Sequence, residues 1–304
     1  MPEPILHHFD LSPFAEKTRL ALGLKGLAWQ SVQIPMVMPK PDLMPLTGGY
    51  RKTPVLQVGA DVYCDTNLIA RELERRFPQP TLFPCGQAGI AQALSSWADK
   101  AFFEPGAALA MGVNKELPEA LLADRKQFFE FMDFSRLDQN IPHLYTQLRA
   151  HASFVNAQLS DERPYLLAAQ PGLADINAYF VVWMARGFVP PAKELFAPFA
   201  HMEKWEARMA SIGHGRRSEI EASQALQISR SSTAEPPAGV DPNDPLQLRA
   251  GARVSVTPDD YGKVAVTGEL ATLQIHEVAV RRLDPRAGEI VVHFPRIGYR
   301  IALA

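Results

Sequence analysis

The segment from Ile5 to Leu24 restricts the fold of this chain more than any other. A short apolar and aromatic run, Ile5-Leu6-His7-His8-Phe9, leads into Asp10-Leu11-Ser12-Pro13, and beyond it Phe14, Thr18, Leu20, Ala21, Leu22 and Leu24 mark a helical stretch. The pattern reads as a strand turning into a helix. Proline at the first helical position has a pre-set φ and lacks an N–H that would be unpaired there, so Ser12 falls at the N-cap. A hydroxyl at that joint stands beside unpaired backbone N–H groups and the positive end of the helix dipole, which suits an anion. Serine is also a leading plain N-cap, and Ser12-Pro13 alone leaves both readings open.

The next sixty residues continue as β-α-β, then β-β-α. Leu27 to Ile34 reads as a second strand, ended by the proline-rich stretch Pro35 to Pro41. Val55-Leu56-Gln57-Val58 and Asp61-Val62-Tyr63-Cys64 flank Gly59-Ala60, a short hairpin signal. Thr66 then caps a helix from Asn67 to Phe77, stopped by Pro78 and Pro80.

A strand, Ser12-Pro13-Phe14 on a basic helix, then Thr53-Pro54-Val55-Leu56, then Asp65-Thr66 opening a third helix: this series resembles the thioredoxin-like domain of cytosolic glutathione transferases. The resemblance implies a thioredoxin-like glutathione-binding domain over residues 1–85. It also implies that Ser12 addresses the thiol of glutathione, that Pro54 is cis, and that Thr53 pairs through its backbone with the cysteinyl part of the tripeptide. Thr66 would bind the γ-glutamyl carboxylate and Asp65 the α-ammonium, with Phe14 at the same site. Among the basic residues Lys40, Arg51 and Lys52, Lys40 is the choice for the glycyl carboxylate. Taken without the resemblance, Asp65-Thr66 is a helix cap and Pro54 an ordinary strand start.

Residues 88–228 are helical in pattern. Ala88 to Met111 resembles the long first helix of the transferase C-terminal domain, where Phe103 and Met111 would line a pocket for an apolar second substrate; core packing is the competing reading. Gly172-Leu173-Ala174-Asp175 stands where the family has a Ser or Thr capping box, with glycine in place of the hydroxyl residue, and Asp175 is read as structural. Residues 229–245, rich in Ser, Pro, Gly, Asp and Asn, read as a linker. Residues 246–304 read as a small all-β, barrel-like domain with strands at Arg253–Thr257, Lys263–Thr267, Leu273–His276 and Glu289–Phe294. The fold class is thus α/β thioredoxin-like, then all-α, then small all-β, and an ordinary transferase has no such third part.

Composition excludes several functions. With 47% hydrophobic and 21% charged residues and a formal net charge of -2, the chain has the make-up of a soluble globular protein and no electrostatic case for nucleic acid or anionic membrane. No apolar run reaches membrane-spanning length, and Met1-Pro2-Glu3-Pro4 lacks the layout of a signal peptide, so a cytoplasmic location is expected. Two cysteines, Cys64 and Cys85, make no disulfide framework, and the eight histidines show no ligand spacing, so no metal is expected. The expected activity is conjugation of the glutathione thiolate to a small apolar electrophile, a detoxifying reaction, by a homodimer with glutathione as co-substrate. A glutathione-dependent isomerase or dehalogenase uses the same thiolate differently. A non-catalytic scaffold that binds a partner through the C-terminal β-domain is the alternative outside enzyme chemistry.

Overall fold

Short, largely buried strands and tight turns build the first half of a sheet as the sequence predicts. In the computed structural model, which describes residues 2–304, β1 (Ile5–His8) leads into α1 (Pro13–Leu24) and returns as β2 (Ala28–Gln33), parallel to β1. After the single turn of α2 (Met44–Thr47), β3 (Val55–Val58) and β4 (Asp61–Cys64) form an antiparallel hairpin, and α3 (Thr66–Arg76) follows. The two-residue turn holds Gly59 at φ +63°, a conformation costly for residues with a Cβ. With β3 antiparallel to β1, this is the thioredoxin-like arrangement.

The chain divides into two compact units. One comprises residues up to Ala15, Ala28–Glu72 and Arg216–Ala304; the other comprises Glu16–Leu27 and Leu73–Gly215. The second unit is helical. Its expected long helix over 88–111 is α4 (Ala88–Trp97) and α5 (Phe103–Val113), joined by a π-helical stretch at Ala98–Phe102. Then come α6 (Glu119–Phe128), α7 (Leu137–Gln158), α8 (Leu173–Phe188), α9 (Ala192–Phe196) and α10 (Ala200–Ala210). Helix α8 is buried on nearly every side, as its apolar run from Ala178 to Ala185 demands of a central helix.

Asp175 starts that helix and ties three segments together. Its carboxylate accepts the Gly172 N–H (3.1 Å), the Leu166 N–H (2.8 Å) and the indole N–H of Trp205 (2.9 Å). Half of the capping box is indeed absent, and the reason is close packing: a Cβ on Gly172 would come within 2.7 Å of Pro84 Cδ and 2.9 Å of the Leu82 carbonyl.

The first unit departs from the sequence reading. The helical region was expected to run to residue 228. Instead, Arg216–Glu219 is an exposed edge strand, β5, parallel to β2. After α11 (Ala222–Ser231) come β6 (Gly239–Val240), β7 (Arg253–Pro258), β8 (Val266–Leu273), β9 (Glu277–Asp284), β10 (Gly288–Pro295) and β11 (Tyr299–Leu303). These strands do not stand apart as a domain of their own. They continue the N-terminal sheet in the order β11-β7-β8-β9-β10-β4-β3-β1-β2-β5, through a parallel pairing of β10 with β4 at Val291↔Asp61, Val292↔Val62 and His293↔Tyr63.

The expected runs at Arg253–Thr257 and Glu289–Phe294 are strands; Gln274–His276 is a turn. Strand β9 was missed because Arg281, Arg282 and Asp284 interrupt its apolar alternation, and β11 was missed as well. The supposed linker is docked as well: Ser229 Oγ donates to the Ala287 carbonyl (2.9 Å), Asp61 accepts the Glu235 N–H (2.9 Å), and β6 pairs with β8. One apolar core runs through the unit, from Ile5, Val32 and Val55 to Val254, Val280, Val292 and Phe294. Each such side chain contributes about 1.5–3 kcal/mol when fully buried, so separating the C-terminal strands would forfeit much of it.

The seam is also pinned electrostatically. His293 of β10 lies between two carboxylates, Nε2 at 3.0 Å from Asp61 of β4 and Nδ1 at 2.6 Å from Glu277 of β9, and stacks on Tyr63 at 4.4 Å. Burial pushes the imidazole pKa down, but the two carboxylates more than offset this and raise it to about 9. By contrast His7, buried against Gln57 Oε1 at 2.8 Å with no carboxylate beside it, is lowered to about 4 and is a neutral core residue.

Two outcomes follow for stability. A folded pKa raised above the unfolded value means that the His293 clamp contributes fully below about pH 6.5 and is lost as pH rises through about 9. His293→Gln is expected to lower unfolding free energy by about 2–3 kcal/mol near pH 6, with the gap to the parent narrowing above pH 9, as read by urea unfolding across pH. Asp175→Ala, which strands three buried donors, is expected to cost about 3 kcal/mol or more in the same assay, and Asp175→Asn less.

Candidate functional site

The residues singled out at the start of the chain gather, within the first unit, around the beginnings of α1 and α3 and the loop that precedes β3. Ser12 is the N-cap of α1: its Oγ accepts the Ala15 N–H at 3.2 Å, and its own N–H donates to the Phe9 carbonyl at 3.0 Å. The residue is 3% exposed. A serine hydroxyl has two lone pairs and one proton. Capping uses a lone pair, so the proton remains for an acceptor placed at the helix start.

The Thr53–Pro54 peptide is cis, as the resemblance implies. Thr53 is held from behind by Lys40, whose Nζ donates to Thr53 Oγ1 (3.0 Å) and to the Arg51 carbonyl (3.1 Å) and faces the Phe9 ring at 5.7 Å. Lys40 is therefore buried, and it acts on the loop that carries Thr53. Phe9 was not anticipated as part of this group. It joins Ser12 to Lys40 by accepting from the backbone of one and packing under the ammonium of the other.

At α3 the expected cap moves back by one residue. Thr66 is the first helical residue, and Asp65 is the cap, with φ +76° and its Oδ1 accepting the Asn67 N–H at 2.9 Å. The second carboxylate oxygen of Asp65 accepts from the Tyr299 hydroxyl at 3.3 Å, and that hydroxyl lies 3.1 Å from the hydroxyl of Tyr50. Lys52 is also committed within the protein, at 2.5 Å from Asp260 and 4.1 Å above the Tyr261 ring. Tyr299, Asp260 and Tyr261 all come from the C-terminal strands and turns. No local signal in the sequence pairs them with residues more than 200 positions earlier.

Phe14 is half-buried on the first turn of α1. In the helical unit, the basic residues of α1 are internally paired: Lys17 Nζ lies 2.7 Å from Asp99, and Arg19 binds Glu16, which also meets His214 at 3.0 Å. Phe103, expected to line a pocket, is 3% exposed and stacks on Phe180 at 5.9 Å, with Phe129 and Phe131 against its edges. At that exposure it is a core residue, with almost no surface left for a ligand. Met111, on the same helix, is half-buried. Among the described residues no group of three His, Cys, Asp or Glu side chains is placed to hold a metal ion.

Residues 6–81 match the family model of the glutathione S-transferase N-terminal domain, and residues 119–212 that of the glutathione S-transferase C-terminal domain. No curated protein sequence matches the chain. Among solved structures, a GST-like protein from Pseudomonas syringae is 36% identical over 100% of both chains, with a TM-score of 0.82. That alignment runs through the C-terminal strands. A glutathione S-transferase from Rhodospirillum rubrum F11 shares 22% identity over 68% of this chain and 88% of its own, with a TM-score of 0.53. A bacterial maleyl pyruvate isomerase of the zeta class shares 20% over 68% and 92%, with a TM-score of 0.51. The last two share the fold, and the first shares the whole architecture. The chain belongs to the glutathione S-transferase family.

Proposed function

We propose that this protein is a glutathione transferase in which the Ser12 hydroxyl keeps the sulfur of glutathione ionised for attack on a small apolar electrophile. The observation that carries this reading is the geometry at the start of α1: Ser12 Oγ accepts the Ala15 N–H and retains its proton, beside the positive end of the helix. The remaining groups suit the rest of the tripeptide. The Thr53 backbone offers strand-like pairing, the start of α3 at Thr66 offers N–H groups to a carboxylate, and Asp65 offers a partner for an ammonium. Lys40 supports this site by fixing Thr53.

A free thiol titrates near 8.5, and a hydroxyl donor at a helix N-terminus lowers it by roughly two units, about 2.7 kcal/mol of preference for the thiolate. Sulfur then forms a bond to the electrophilic carbon, and the electron pair of the broken bond leaves with the departing group or settles on the acceptor. The same reading takes the protein as a cytoplasmic homodimer with a detoxifying role. It keeps Met111 as a residue of the second-substrate pocket. Among the described residues no helix is long and apolar enough to cross a membrane.

The test is conjugation of glutathione to a panel of model electrophiles by the parent protein and by Ser12→Ala. The variant is expected to lose roughly 10- to 100-fold in kcat/KM at pH 7 and to recover as pH rises toward the free thiol range, in line with a lost thiolate donor of about 1.4–2.7 kcal/mol. Unchanged activity of Ser12→Ala at neutral pH removes Ser12 from the mechanism. Binding of glutathione without turnover of any electrophile favours a scaffold.

A further inference from the structure

The C-terminal strands do more than widen the sheet. Strand β11 brings Tyr299 to the beginning of α3, where its hydroxyl reaches Asp65 Oδ2 at 3.3 Å, while Asp65 Oδ1 is held by the Asn67 N–H at 2.9 Å. The last torsion of a carboxylate is broad and roughly two-fold. Donors on both oxygens fix its plane.

The donor itself is also positioned. The Tyr50 hydroxyl lies 3.1 Å from that of Tyr299, and the rings of Tyr50, Tyr299 and Phe294 pack together with centroids 5.5 to 6.4 Å apart. Tyr50 is 2% and Tyr299 8% exposed. Burial pushes both phenols well above their usual range, so both keep their protons. The direction of the chain is set by its end: Asp65 can only accept, so Tyr299 donates to it and Tyr50 donates to Tyr299.

We propose that Tyr299 is a positioning residue of the tripeptide site: it orients the Asp65 carboxylate to receive the α-ammonium of the γ-glutamyl group. This rests on the reading of the site as one for glutathione. It makes the C-terminal strands part of that site. It also gives the Tyr50–Pro54 loop a double role, since one end carries the tyrosine behind Tyr299 and the other carries Thr53.

The test is calorimetric binding of two ligands, glutathione and glutaryl-cysteinyl-glycine, the same tripeptide with hydrogen in place of the α-ammonium. Tyr299→Phe keeps the ring and removes only the hydroxyl. Its dissociation constant for glutathione is expected to rise roughly five- to tenfold, the scale of one charge-assisted hydrogen bond, while that for the deaminated analogue stays within about twofold of the parent. Tyr50→Phe, which leaves Asp65 its direct donor, is expected to show the same preference at about twofold, and it carries the test if Tyr299→Phe fails to fold. Equal weakening of both ligands assigns Tyr299 a purely structural part and overturns the proposal. So does no weakening of either, with the glutathione reading left standing. Absence of glutathione binding by the parent protein overturns both.

Discussion

The parallel pairing of β10 with β4 is the contact on which the first unit depends. In an isolated thioredoxin-like sheet of this strand order, β4 would be an edge, with a row of unpaired N–H and C=O groups. Here β10 takes that edge, so residues separated by more than 200 positions share one ladder and one core. Only three residue pairs make the ladder, and the charged clamp of Asp61, His293 and Glu277 sets their register: a one-residue slip would turn His293 to the other face and leave two carboxylates without their cation. Hydrophobic burial supplies most of the attraction at this seam, and the buried imidazolium supplies its specificity.

The same pairing shapes the candidate site. Because β10 lies against β4, its continuation through β11 returns Tyr299 to the residue that follows β4, Asp65. The turn after β7 similarly delivers Asp260 and Tyr261 to Lys52. The loop before β3 is thus held by Lys40 on one side and by the C-terminal segments on the other. The outcome is a site whose polar groups are nearly all oriented by protein partners, the arrangement that lets a small ligand bind without first ordering the loops around it.

Local chemistry was enough to read much of this from the sequence. Ser12-Pro13 identifies the start of α1, because a capping hydroxyl and a pre-set φ act within a few residues. Gly59-Ala60 marks the hairpin, and Asp175 with its missing capping partner marks the start of α8, for the same reason. Most residues of the candidate site in the first unit were legible for a related cause: they sit at helix starts and at a proline, positions with strong sequence signatures. Phe103 was not, since apolar spacing on a helix reports that a side chain is buried and says nothing of what buries it.

What the sequence alone determined is therefore the local script: which segments are strands and helices in the thioredoxin-like part, where the helices begin, and which residues stand at their ends. The tertiary structure decided that the last strands complete the first sheet, that the supposed linker is docked, that Phe9 and Lys40 support Ser12 and Thr53, and that Tyr299 meets Asp65. The physical reason is range. Capping, turn formation and periodicity act over a few residues and leave their mark in composition, whereas strand pairing between β4 and β10 depends on backbone groups that every residue carries, and so writes almost nothing into the sequence beyond a buried histidine and its two carboxylates.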